Sequence, residues 1–416
     1  MVFFVFNIYL FTMILFNRIN IYHTLVYSLI VFSAFYSVSL INISSITYDF
    51  KIPEYLSILL ILNYIFTNKR IDRKALLFLL TIILVMFLSY FVRTIHFIPI
   101  EVWELEISNR VNIFDKFITK NSLSLTNITQ MLYVVLGASI FVIYGSIKLP
   151  KKKLLNKIYS SLFLILAIAL LQLLFYYTNN YDIYLNVFYS IDPTGTNSVL
   201  AFQEFYGIKR INSVLVEPSI FGYYVTLTLI FLLLFDKEEF KKRKKLVVVS
   251  ILLVFLSTSM TGYLGLILVF ICYNIYEKNY KKLVIIAMII GVIISVVIVY
   301  YHNELLFLIN LKSSSIAERF LFGFTLPIES FIKMPFFGIA LGTDRPTVML
   351  INLILAIGMI GTTLLFLIGK VIFKNNKKIK FYLIFLFIIG ISVPDFRYLF
   401  FWIYLGLLYN PLYKRN

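Results

Sequence analysis

The chain has 416 residues, of which 61% are hydrophobic and 14% charged, with a mean hydropathy of +0.91 and a formal net charge of +18. Soluble domains carry roughly 25% charged residues, so a soluble enzyme is excluded, and no nucleic-acid partner is expected from the basic excess until its placement is read. One cysteine, Cys272, and three scattered histidines, His23, His96 and His302, exclude a disulfide framework and supply no metal-ligand spacing; neither metal nor cofactor is expected.

The opening MVFFVFNIYLFTMILF is followed by many further apolar stretches, so it reads as a first membrane helix and not as a cleaved signal. Stretches of about the length that crosses ~30 Å of hydrocarbon follow at 21–43, 52–67, 75–92, 126–147, 154–177, 216–235, 283–301 and 348–372, with shorter ones at 2–16, 246–256, 263–276, 381–393 and 398–410. The fold class is an all-α polytopic membrane protein of about 12–14 transmembrane helices in a single integral domain, 1–416; thirteen segments place the N-terminus outside.

The breaks at 68–74, 148–157, 236–245, 277–282, 374–380 and the tail KRN hold 24 of the 38 basic residues and 5 of the 20 acidic ones. By the positive-inside rule these are cytoplasmic. Three long polar loops, 93–125, 178–215 and 302–347, then lie on the far side. The lysine runs are topology signals facing anionic lipid, and no chemistry is assigned to them.

Residues 246–276 lie between two basic clusters and must enter and return, turning at STSMTG (257–262). Arms of 11 and 14 residues barely pass the bilayer midplane. Such a turn needs a protein-lined polar cavity to satisfy its backbone.

Charged groups near membrane depth are costly and are functional candidates. Arg210 closes the loop 178–215 just before Glu217-Pro218, where proline suits a helix start; a snorkelling arginine paired with Glu217 is the competing reading. Arg319 opens an amphipathic segment, 316–334, with Ile316, Phe320, Phe324, Ile328 and Phe331 at near-helical spacing. Pro335 ends it, and Gly338 and Gly342 bracket a tight return. Arg345 and Arg397 are further outer-side arginines whose competing role is interfacial anchoring.

An arginine before E-P-S-x-x-x-Y, then S-T-S-x-T-G-Y-L-G-L, then S-x-x-x-R ahead of P-F-F-G-I-A-L-G-T, in this order over roughly 205–350, resembles the Wzy-type O-antigen polymerases of the O-antigen ligase and polymerase superfamily. The resemblance implies a GT-C-type membrane fold in a bacterial inner membrane. It implies a metal-independent glycosyltransferase that joins undecaprenyl-diphosphate-linked repeat units, both donor and acceptor, among membrane lipids, with a chain-length regulator protein as a further partner. In that family outer-face arginines grip the diphosphate, a role that falls here on Arg210 and Arg319. Arg345, Arg397, Asp344 and Tyr223 are the remaining substrate-binding candidates. The histidine that ligases carry late in their second large loop has no counterpart, because His302 opens that loop. A ligase of the same superfamily and a lipid-linked oligosaccharide flippase remain alternatives.

A glycosyl diphosphate gains charge as it leaves, and arginine offers paired, permanent donors to it. Candidates for the base on the acceptor hydroxyl are Glu217, Asp344, Asp395, Glu318 and Glu204, with Glu217 also a candidate for steering Arg210. Tyr206, Tyr223 and Tyr224 are able to stack on sugars, with interfacial belt residues as the competing reading.

Overall fold

The computed structural model describes residues 21–43, 48–67, 70–95, 100–103, 117–120, 125–188, 203–205, 208–276, 326–341, 349–373, 377–389 and 398–410. Where apolar sequence runs unbroken it forms helix, since in hydrocarbon each backbone polar group must find its partner within the segment. The helices are α1 (Ile21–Phe32), α2 (Ile52–Phe66), α3 (Arg73–Ile95), α4 (Leu125–Ser146), α5 (Lys151–Tyr177), α6 (Tyr181–Phe188), α7 (Pro218–Phe235), α8 (Lys237–Lys242), α9 (Lys244–Leu256), α10 (Met260–Tyr276), α11 (Leu326–Lys333), α12 (Met349–Ile372), α13 (Lys377–Ile389) and α14 (Leu399–Tyr409). Among the described residues five of them, α3, α4, α5, α7 and α12, are long and apolar enough to cross a membrane. The predicted spans 2–16 and 283–301, and the break at Pro394, lie outside the described residues.

Among the described residues the loops hold three antiparallel pairs: β1 (Ser39–Ile43) with β2 (Tyr48–Lys51), β3 (Ile100–Trp103) with β4 (Phe117–Lys120), and β5 (Glu204–Phe205) with β6 (Ile208–Lys209). The first pair corrects the expected span 21–43. Helix α1 stops at Phe32, because Ser33 and Ser37 turn their hydroxyls onto carbonyls, Ser33 onto Ile30 at 3.0 Å and Ser37 onto Val214 at 2.8 Å. Local hydroxyl bonds of this kind compete with helix continuation.

Helix α7 is buried along its whole length, as a helix that is apolar on every side should be. It packs on α10 where Gly222 faces Gly262: a Cβ on Gly222 would meet the Gly262 Cα at 2.6 Å, so only glycine lets the two backbones approach. Thr226 against Gly265 continues the seam. Helix α14, also buried throughout, lies on α4 through Trp402 over Gly137 and Tyr409 over Gly145. Small residues are how membrane helices gain contact where no hydrophobic drive exists between them.

Helix α12 is broken at Gly358, whose φ of 66° and ψ of −173° lie where a side chain is strained. The segment after α11 staples the break with its own backbone. Met359 N–H donates to Pro335 O at 2.8 Å, Ile360 N–H to Phe336 O at 3.1 Å, and Ile339 N–H to Leu355 O at 2.9 Å. Ser89 of α3 donates to Ala356 O at 2.5 Å and accepts from Ala340 N–H at 3.2 Å. The return expected around Gly338 is therefore a docked loop with Gly338 at φ 78°.

The described contacts sort the helix ends into two sets. At one end Asp72 N–H donates to Ser146 Oγ at 3.0 Å, Tyr409 bonds to Asp72, and Asn410 Nδ2 donates to Ile147 O at 2.7 Å. This end carries the described parts of the basic breaks at 68–74, 148–157 and 236–245. At the other, Ser37 Oγ donates to Phe188 O at 2.9 Å, Tyr184 Oη to Ser213 O at 2.9 Å, and Leu399 N–H to Tyr36 Oη at 2.5 Å.

Candidate functional site

The chain between α6 and α7 does more than cap the bundle. Residues Ile211 to Leu215 are fully buried, so this stretch of the polar loop expected at 178–215 is a plug set into the helices. Buried backbone must be paired, and one side chain does most of that pairing. Gln172 of α5 accepts from the N–H groups of Asn212 and Ser213 at 3.2 and 3.0 Å, and donates to Asn212 Oδ1 at 2.6 Å and Tyr181 Oη at 3.0 Å. Ser213, at φ 53°, donates to Ile165 O at 2.9 Å.

Arg210 stands at the mouth of this plug, half-buried. Its Nε donates to Thr258 Oγ1 at 2.9 Å and more weakly towards Ser257 O at 3.5 Å, while Nη1 donates to Gln203 Oε1 at 3.0 Å. Ser257 and Thr258 are the turn between α9 and α10, so the arginine and the S-T-S turn meet across 48 positions of sequence. The Gly222–Gly262 contact draws α10 against α7 and so brings that turn level with the start of α7. Thr258 has φ 48°, a conformation rare for a threonine. Backbone outliers of this kind gather at functional sites.

Glu217 caps α7 from an extended conformation, φ −134° and ψ 153°, with Pro218 as the first helical residue, as expected for the helix start. Its Oε2 accepts from Ser219 Oγ at 2.9 Å. Among the described contacts Arg210 is held by Gln203 and Thr258, and the ion pair with Glu217 considered from the sequence is not among them. Tyr223 is 1% exposed with its ring against Phe400 at 5.8 Å, and Tyr224 is wholly buried with its hydroxyl on Ser161. Neither presents a free face to a sugar, which corrects the stacking role expected of them. Arg319, Arg345, Arg397 and Asp344 lie outside the described residues, as do Glu318, Asp395 and Tyr206. Among the described residues no group of three or more His, Cys, Asp or Glu side chains is placed to hold a metal ion.

Sequence reasoning missed Lys209. It is fully buried, its Nζ donating to Arg210 O at 2.8 Å and Gln203 O at 3.3 Å and lying 5.5 Å from the centre of the Tyr181 ring. Burial first, and then the charge of Arg210, pull its ammonium down from 10.5 to about 7, against an opposing pull from Glu204, its cross-strand partner. The sequence shows K-R side by side, but nothing in it marks the lysine as the one that is buried. Arg93, in the last turn of α3 and 2% exposed, is a second buried cation that the sequence did not single out.

These features define an α-helical protein built to span a membrane, with a half-buried arginine seated on a short helical turn at the end opposite its basic face. No family model, curated protein or solved structure matches the chain.

Proposed function

We propose that the chain is a metal-independent membrane glycosyltransferase that polymerises undecaprenyl-diphosphate-linked oligosaccharide repeats, as O-antigen polymerases do, within a GT-C-type fold. The observation that carries this reading is the seat of Arg210 on the Ser257–Thr258 turn, which joins two of the motifs on which the resemblance rests. With the basic end cytoplasmic, the arginine faces the periplasm of a bacterial inner membrane, where the loops 93–125, 178–215 and 302–347 also lie.

Arg210 binds the donor diphosphate. As the anomeric carbon–oxygen bond breaks, negative charge grows on the leaving phosphate, and a guanidinium already held by Gln203 and Thr258 meets it without reorganising. In a partly dehydrated site such a donor is worth ~10²–10³ in rate. Arg319 is the second phosphate ligand, with Arg345, Arg397 and Asp344 completing the substrate site. Glu217 takes the proton of the acceptor hydroxyl. The lipid tail enters sideways between helices, and a chain-length regulator is the expected protein partner.

The test is complementation of a polymerase-deficient strain, with surface polysaccharide resolved on gels. The wild-type chain should restore a ladder, and Arg210→Ala and Arg319→Ala should each abolish it while the protein remains inserted. Arg210→Lys should rescue in part, since lysine keeps the charge without the fork. A full-length ladder from Arg210→Ala would remove that residue from the site, and single unpolymerised repeats with the wild-type chain would refute polymerisation.

A further inference from the structure

At the same end of the bundle as the arginine, an open cavity of about 350 Å³ is lined by Tyr176, Tyr177, Asn179, Tyr181 and Asp182. Its volume is that of a small ligand cleft, typically ~300–1,000 Å³. The rings form a braced wall: Tyr176 meets Tyr177 edge-on at 5.1 Å and Tyr181 edge-on at 5.5 Å, and Tyr181 stacks on Tyr184 at 5.4 Å. Tyrosines fixed in this way present flat, amphipathic area at little cost in entropy. Tyr177 remains 60% exposed.

Polar groups stand around the rings. Asn179 has φ 57° and ends α5, its N–H on Tyr176 O at 3.2 Å, with its side chain exposed. Asp182 opens α6, also exposed. Tyr176 hydrogen-bonds Glu204, whose cross-strand partner is Lys209, next to Arg210. The cavity and the arginine therefore hang on one hairpin.

We propose that this cavity is a glycan subsite for an uncharged pyranose, the ring face of Tyr177 against the sugar's C–H face and Asp182 and Asn179 bonding its hydroxyls. This rests on the reading of the chain as a glycan polymerase, and places a sugar of the repeat unit next to the diphosphate held by Arg210. A flat phenol covers the apolar face of a pyranose, and a carboxylate accepts from hydroxyls in charge-assisted bonds. The same carboxylate, Asp182, repels a uronic acid, so the subsite selects against acidic sugars. A membrane-interface belt would need the tyrosines alone and gives Asp182 no part.

The experiment uses the full chain in nanodiscs and saturation-transfer NMR, with methyl glycosides of glucose, galactose and N-acetylglucosamine as probes and methyl glucuronide as the acidic control. At least one neutral glycoside should show saturation transfer, and the glucuronide none. Asp182→Asn should weaken the response about tenfold, the worth of one charged hydrogen bond, and Tyr177→Leu should weaken it through loss of the flat ring face, while Tyr177→Phe keeps it. Both side chains are exposed, and unchanged elution in size-exclusion chromatography verifies folding. Arg210→Ala should leave the sugar response intact, which separates this subsite from the anion site. No response from any neutral glycoside, equal binding of the glucuronide, or wild-type responses from both Tyr177→Leu and Asp182→Asn would each overturn the subsite. A sugar response retained in a chain that fails to restore a polysaccharide ladder would instead refute the polymerase reading alone.

Discussion

Replacing Lys209 with methionine keeps the length of the side chain and removes the amine, so the pH dependence of unfolding then reports the buried charge. In the folded protein the ammonium titrates at about 7, against 10.5 in the unfolded chain. Between those values the unfolded state holds a proton that the folded state has lost, so stability rises with pH; below about 7 both states are charged and the slope vanishes. The greatest slope is about 1.4 kcal/mol per pH unit, so raising the pH from ~7.5 to ~9.5 should add about 2–3 kcal/mol to the wild type. Lys209 is fully buried, and solvent screening takes little from this figure. Thermal unfolding in detergent, followed by intrinsic fluorescence at a series of pH values, should show a midpoint that climbs by a few degrees in the wild type relative to Lys209→Met. Every other titrating group is common to both proteins and cancels in the difference. Parallel curves would refute the argument, because they would mean that the amine titrates as a solvated lysine.

Gln172→Leu should destabilise the fold by about 2–4 kcal/mol, since it strips the partner from two buried N–H groups at once; chemical unfolding measures the loss, and a change below ~0.5 kcal/mol would mean that water replaces the amide. Gly262→Val should force α10 from α7 and move the turn away from Arg210, with increased proteolysis near 257–259 as the readout; wild-type protection would place the seat of the arginine elsewhere. In a Cys272→Ser background, cysteine at Val187 should react with an impermeant thiol reagent in intact cells and cysteines at Lys152 and Lys242 should not. Labelling at 242 would invert the membrane orientation and with it the side on which Arg210 works.

The parts that were legible in the sequence are those encoded locally. Helix α7 is readable because a mostly apolar run of eighteen residues opens at Pro218, directly after Glu217, and the α9–α10 hairpin because two short runs are held between basic clusters. Burial of the plug 211–215 was not legible, because what permits it is Gln172, 40 positions earlier, and a lone glutamine in an apolar helix says nothing of its partners. The β1–β2 pair escaped for the same reason, since YSVSLINIS is apolar enough to extend a helix and only Val214 and Phe188 draw Ser37 out of one. At the site, Arg210 was legible as a cation where cations are costly, and its meeting with Thr258 only as an ordering of motifs. Lys209 was hidden because its burial is tertiary, as was the tyrosine cavity, whose residues nothing in the sequence singles out until their rings are seen edge to edge.

The pairing of α14 with α4 sets a clock on assembly. Asn410 bonds Tyr144 across 266 positions at 2.8 Å, and the Trp402 ring lies directly over Gly137. A ribosome adding about 5–20 residues per second therefore leaves the α4 face, with Gly137 and Gly145, uncovered for some tens of seconds after it has entered the bilayer. Contacts of such long sequence separation form slowly, and throughout that interval the groove is open to the nearest apolar partner, in this chain or another. Until α14 arrives its seat is left to lipid, and a variant that slows its arrival should be degraded faster at a normal rate of synthesis without any defect in the finished fold.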